Sequence, residues 1–97
     1  MIDKHQIVEK LQLAKSSLQK RYGFKSLALF GSHSSDTPTE DGEAIEVMVE
    51  FSDQVGMRII DLEDELEKIL DHKVDLVSRK SLNPKYFKTL RPDMIYI

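Results

Sequence analysis

Gly31 and Ser32 follow directly on an apolar run, Leu27-Ala28-Leu29-Phe30. A strand that delivers a Gly-Ser turn can seat a phosphate, because glycine lets backbone N–H groups come close to an anion. Carboxylates crowd the start of the next apolar-acidic stretch: Glu40, Asp41, Glu43 and Glu46. A carboxylate placed there could hold the divalent cation that accompanies a nucleoside triphosphate. The third feature is Asp75, set among Val74, Leu76 and Val77 in KVDLV. A carboxylate in an apolar strand is expensive to bury unless it is paired, solvated or bound to a metal. Each feature also has a plainer explanation. Most Gly-Ser pairs after strands are simply turns, and Asp75 would equally suit the open face of an edge strand.

Other polar and aromatic residues carry less. His5, His33 and His72 sit on separate elements with no helical ligand spacing. His5 and His72 read as surface residues, whereas His33 adjoins the Gly-Ser turn and could touch a phosphate when protonated. Tyr22, Tyr86 and Tyr96 are most simply core or sheet-edge aromatics.

The elements that must position these groups follow from periodicity. Asp3-Lys4-His5-Gln6 has the form of a capping box, with Asp3 as N-cap. Ile7, Val8, Leu11, Ala14, Leu18 and Tyr22 then step by three and four along one helical face, and Gly23 is placed to end the helix. Ser26 to Phe30 reads as a strand buried on both faces. The polar segment from Gly31 to Gly42 is longer than most connections in small domains, and loops of that length are usually functional or mobile. Pro38 disfavours a long helix within it. Ala44 to Phe51 is a second strand, with Ile45, Val47, Val49 and Phe51 on one face and Ala44, Glu46, Met48 and Glu50 on the other.

Ser52 or Asp53 could cap a second amphipathic helix, which carries Ile59, Leu62, Leu66 and Ile69 as a core stripe and ends near Leu70. Its acidic outer face reads as solvated. Lys73 to Val77 is a third strand. Asn83-Pro84 opens a short helix through Leu90, Pro92 stops it, and Met94 to Ile97 reads as a terminal strand. The order α-β-β-α-β-α-β predicts one α/β (α+β) domain over residues 1–97, with helices flanking a small mixed sheet.

Composition narrows the function class. The chain is 40% hydrophobic and 32% charged, as expected of a globular, soluble domain. No apolar run approaches the roughly 18 residues of a membrane span. The opening MIDKHQIVEK lacks the apolar centre of a signal peptide. There is no cysteine, hence no disulfide framework and no thiolate metal site, which fits a cytoplasmic protein. With 14 basic and 17 acidic residues the net charge is −3, which disfavours general binding to nucleic acid. The charge is uneven, however. Acidic residues dominate from Asp53 to Asp71, and basic ones (Lys73, Arg79, Lys80, Lys85, Lys88, Arg91) from Lys73 to Arg91. Such a basic third could meet phosphates or an acidic partner, or form a solvated surface.

The succession LALFGS, polar loop, IEVMVEF, acidic helix, KVDLV resembles the minimal nucleotidyltransferase family, within the DNA polymerase β-like nucleotidyltransferase superfamily. The resemblance covers nearly the whole chain, including the first helix and the closing SLNP…MIYI segment. It implies a nucleotidyltransferase-like fold in which Gly31 and Ser32 hold a triphosphate. It further implies an Asp–apolar–Asp or Asp–apolar–Glu unit and a third acid, together holding two magnesium (or manganese) ions. Such ions stabilise both the attacking and the departing oxygen of an in-line displacement.

Asp75 matches the third acid, which in the family also acts on the attacking hydroxyl. The acidic unit matches only in part. Aligned by the strand's ending, VMVEF, Glu46 falls at its second acid and Ala44 at its first. Aligned by distance from Gly31, Glu43 falls at the first and Ile45 at the second. The basic residue usual after Gly-Ser is replaced by His33-Ser34-Ser35.

Glu46 and Asp75 are therefore the expected catalytic pair, with Glu43, Glu46 and Asp75 as metal ligands. The resemblance implies ATP or another NTP as ligand and a small helical HEPN-type protein as partner, in toxin–antitoxin modules where some members transfer AMP to a partner tyrosine. With an acid missing, the expected function is a binding, antitoxin-like module whose catalysis is impaired or lost. An active Mg-dependent nucleotidyltransferase acting on a partner or small-molecule hydroxyl is the alternative. A structural interaction domain without a nucleotide site is the third reading.

Overall fold

The computed structural model describes residues 3–31, 43–51 and 58–97. Helix α1 (Lys4–Tyr22) begins at the expected capping box. The Asp3 carboxylate accepts from the Gln6 N–H at 2.9 Å, and the Gln6 side chain accepts from the Asp3 N–H at 3.0 Å. Gly23 ends the helix at φ 67°, where a side chain would be strained, and its N–H donates to the Gln19 carbonyl.

Strand β1 (Phe24–Phe30) starts two residues earlier than the sequence suggests. Phe24 faces Phe51 and Ser26 faces Glu50, so exposed Lys25 is an extra residue bulged out of the ladder. Strand β2 (Ile45–Phe51) runs antiparallel to β1. Helix α2 (Arg58–Leu70) returns the chain so that β3 (Val74–Ser78) pairs parallel with β2. A 3-10 turn at Arg79–Ser81 leads to α3 (Pro84–Leu90), capped by the Asn83 side chain on the Lys85 N–H at 2.8 Å. A two-residue strand, β4 (Ile95–Tyr96), pairs antiparallel with β1, and the Ile97 N–H donates to the Leu27 carbonyl.

The sheet order is β3-β2-β1-β4, mixed as expected. One face carries Leu27, Leu29, Ile45, Val47, Val49, Val74 and Leu76, buried against Ile7, Leu11 and Leu18 of α1 and Leu62, Leu66 and Leu70 of α2. The other face carries Ala28, Phe30 and Met48 with Val77 beside them, covered by Leu82, Phe87, Leu90 and Met94. Burial on both faces explains why β1 reads as a continuous apolar run. Among the described residues no helix is long and apolar enough to cross a membrane.

Two expectations change. The acids of α2 are not all solvated. Glu63 accepts from the Leu76 N–H at 2.9 Å and Glu67 from the Val74 N–H at 3.0 Å, along the outer side of edge strand β3. Glu65 pairs with Arg21 of α1. The physical reason is that an edge strand has outward N–H groups needing acceptors, which a neighbouring helix can supply. Tyr86 is neither core nor sheet edge, since it stands exposed on the outer side of α3. Tyr22 packs against the core, and Tyr96 lies at the sheet edge. The proposed caps Ser52 and Asp53 lie outside the described residues.

Candidate functional site

The site is built at one end of the sheet, where β1 finishes and β2 begins. Register pairs Phe30 with Glu46 across the antiparallel β1–β2 ladder, and Glu46 with Asp75 across the parallel β2–β3 ladder. Register partners share a sheet face about 4.8 Å apart at the backbone, so the two carboxylates stand side by side on the α3 side of the sheet. Phe30, buried with Ala28 and Met48, anchors the end of β1 that presents Gly31.

Gly31 has φ 76°, and a Cβ built on it would lie 1.6 Å from Glu46 Oε2 and 2.8 Å from Glu46 Cδ. The left-handed backbone is what favours glycine there, and the end of the flexible Glu46 side chain occupies the space that a Cβ would take. Gly31, Glu46 and Asp75 are thus brought together. Ser32, His33, Glu40 and Asp41 lie outside the described residues.

Electrostatics follows from this crowding. Burial, then the neighbouring charges of Asp75 and Glu43, push the Glu46 carboxyl above the ordinary glutamate range. Asp75 is exposed at the edge strand, as its plainer reading had it, and yet stands beside Glu46. Glu43 is half-buried and near enough for its charge to reach Glu46. Among the described residues no group of three or more His, Asp or Glu side chains could hold a metal ion.

The parity of β2 bears on the two alignments of the acidic unit. Ile45 is 0% exposed and belongs to the cluster packed by α1 and α2, on the face opposite Glu46. A site position for Ile45 would need the strand turned over, which would expose every buried residue of that face. The geometry therefore supports the register in which Glu46 stands second and Ala44, half-buried two residues earlier, stands first. His5 is exposed, and a ring nitrogen of His72 lies 3.1 Å from the Lys73 carbonyl. The guanidinium of Arg79, not singled out in the sequence, is held 3.7 Å from the centre of the Phe87 ring. The only advance sign of that contact was the basic character of the segment after β3.

A carboxylate with a raised pKa has a definite effect on stability. Between the pKa of Glu46 in the unfolded chain and its higher value in the fold, the native state binds more protons, so stability falls as pH rises through that window. Below both values Glu46 contributes nothing. Glu46→Gln is accordingly expected to raise the melting temperature at neutral pH and to leave it unchanged below the ordinary glutamate range. Melting curves at the two pH values check this.

Comparison with known proteins places this geometry. The family model described as a nucleotidyltransferase domain matches residues 11–96. The chain belongs to the nucleotidyltransferase family. A Methanocaldococcus jannaschii relative named "Putative protein adenylyltransferase MJ1379" is 40% identical over 96 residues, which is 95% of each chain. Among solved structures, a minimal nucleotidyltransferase superposes with a TM-score of 0.78 at 24% identity, over 99% of this chain and 95% of that one. A structure of tri-AMPylated Shewanella oneidensis HEPN toxin in complex with MNT antitoxin matches with a TM-score of 0.66 at 20% identity, over 93% of this chain and 70% of that one. Both structural likenesses are of fold.

Proposed function

We propose that the chain is a nucleotidyltransferase-fold module that binds ATP with a divalent cation, is impaired in transferring AMP, and acts as the antitoxin-like partner of a small helical HEPN-type protein. The observation that carries this is the register pairing of Glu46 with Asp75 beside Gly31, with Ala44 where a further acid would stand.

The proposed donors are carboxylate oxygens, the ligand type that suits a hard divalent cation. Two oxygen-bearing side chains share one face, and burial, then the charge of Asp75, already disfavour the charged form of Glu46. Mg2+ or Mn2+, when bound, would supply positive charge that favours the ionised form of Glu46 and draws in triphosphate oxygens. Glu46 and Asp75 would be its ligands. Gly31 and Ser32 would present backbone N–H groups to the phosphates, and the left-handed conformation of Gly31 suits such a turn. Asp75, exposed at the edge, would be the group nearest an incoming hydroxyl. The fold likeness to a chain from an MNT–HEPN complex, and the adenylyltransferase name of the jannaschii relative, support the partner and the nucleotide.

One observation favours the active reading. Glu43 lies close enough to act on Glu46 electrostatically, so a longer side chain reaching past Ala44 could replace the missing acid. Glu43, Glu46 and Asp75 do not form a metal-holding group as they stand, so Glu43 would have to swing towards the other two to complete a metal site. Labelled ATP with Mg2+ or Mn2+ and a HEPN-type partner separates the two. We expect Mn2+-ATP binding by calorimetry with little label on the partner. Efficient labelling that disappears in Asp75→Asn would contradict impairment and establish the active enzyme.

A further inference from the structure

The two carboxylates of α2 that reach β3 do not bond it at random places. Glu67 takes the N–H of Val74 and Glu63 the N–H of Leu76, the residues on either side of Asp75. The spacing matches. Four residues of helix rise about 6.0 Å, and two residues of strand span about 6.6 Å. A helix antiparallel to a strand can therefore set an i, i+4 pair of acceptors against alternate N–H groups. Charged acceptors make the stronger class of hydrogen bond.

On its other side β3 is held by its ladder with β2, in which Asp75 stands opposite Glu46. The Asp75 carboxylate is carried by the stretch of backbone that these bonds and the ladder hold from either side. An edge strand held on one side only would be free to fray.

We propose that Glu63 and Glu67 are positioning residues: they clamp the backbone flanking Asp75 and so keep its carboxylate beside Glu46. The proposal rests on the reading of Asp75 as a cation and nucleotide ligand. It makes two of the α2 acids, Glu63 and Glu67, part of the site's support. Glutamine at both positions keeps an acceptor oxygen at the same reach, whereas alanine removes it.

The test uses backbone NMR of the isotope-labelled full chain together with calorimetric titration of Mn2+-ATP. In Glu63→Ala/Glu67→Ala, amide exchange at Val74 and Leu76 should accelerate about tenfold more than at Leu27 and Val47, and Mn2+-ATP should bind about tenfold more weakly. Glu63→Gln/Glu67→Gln should restore both. If the double alanine variant does not fold, Glu67→Ala alone is compared with Glu67→Gln.

A purely structural role would accelerate all core amides in step with lost stability and leave the affinity of the folded fraction unchanged. That result would overturn the proposal. So would an Asp75 backbone as ordered in the alanine variant as in the parent. If the parent binds no Mn2+-ATP, the nucleotide-binding reading fails on its own. The exchange pattern around Asp75 then still decides whether Glu63 and Glu67 clamp it.

Discussion

Ala44→Asp is expected to raise the rate of AMP transfer from ATP to a partner hydroxyl by about three orders of magnitude. A carboxylate between two dications offsets their repulsion. A unit charge pair at that range is worth about 4 kcal/mol at an effective dielectric near 20. Each 1.36 kcal/mol in a barrier is about tenfold in rate, so one ligand restored corresponds to about three powers of ten. Ala44 lies two residues before Glu46, the spacing that returns a side chain to the same face of an extended chain. Without a cation the same substitution should lower the melting temperature, because Glu46 already bears the repulsion of Asp75 and Glu43. Label transfer and melting with and without Mn2+ read the two halves of this expectation. A variant as slow as the parent, with folding intact, would show that Ala44 is not where the acid is missing.

Leu29→Ala is expected to cost about 3 kcal/mol of folding stability, within the range for burying a cavity in place of a leucine. Leu29 is 0% exposed on β1, an interior strand flanked by β2 and β4, and belongs to the cluster packed by α1 and α2. A domain of this size has only about 5–15 kcal/mol in hand, and each kcal/mol shifts its melting temperature by about 4–8 °C. The loss should therefore be more than 10 °C. Leu13, 80% exposed on α1, supplies the contrast. Leu13→Ala should stay within about 0.5 kcal/mol of the parent. Thermal melts of the two variants check both statements.

Much of this fold was legible because its signals are local. The Asp3–Gln6 capping box, the stop at Gly23 and the Asn83-Pro84 start of α3 all involve residues within one turn of each other, and each appears as read. The start of β1 was missed because a bulge at Lys25 interrupts the apolar pattern without ending the strand.

The candidate site was legible only in its members. Gly31, Glu46 and Asp75 could each be picked out by type. Their convergence depends on β2 pairing parallel with β3 and antiparallel with β1, a long-range register that no local pattern encodes. Between the two alignments of the acidic unit, what tells is the burial of Ile45, a matter of which face the helices cover. Glu63 and Glu67 escaped notice for a related reason. On a helix, an acid accepting a distant strand's N–H looks the same in sequence as one facing water.

Glu46 and Asp75 are proposed to form a cation seat beside Gly31 from which one carboxylate is missing. Anomalous scattering from crystals grown with ATP and Mn2+ measures it most directly. One well-ordered manganese ion is expected, ligated by Glu46 and Asp75 with the triphosphate against Gly31. Two fully coordinated ions bridged by Glu43, or a nucleotide bound away from Gly31, would contradict it.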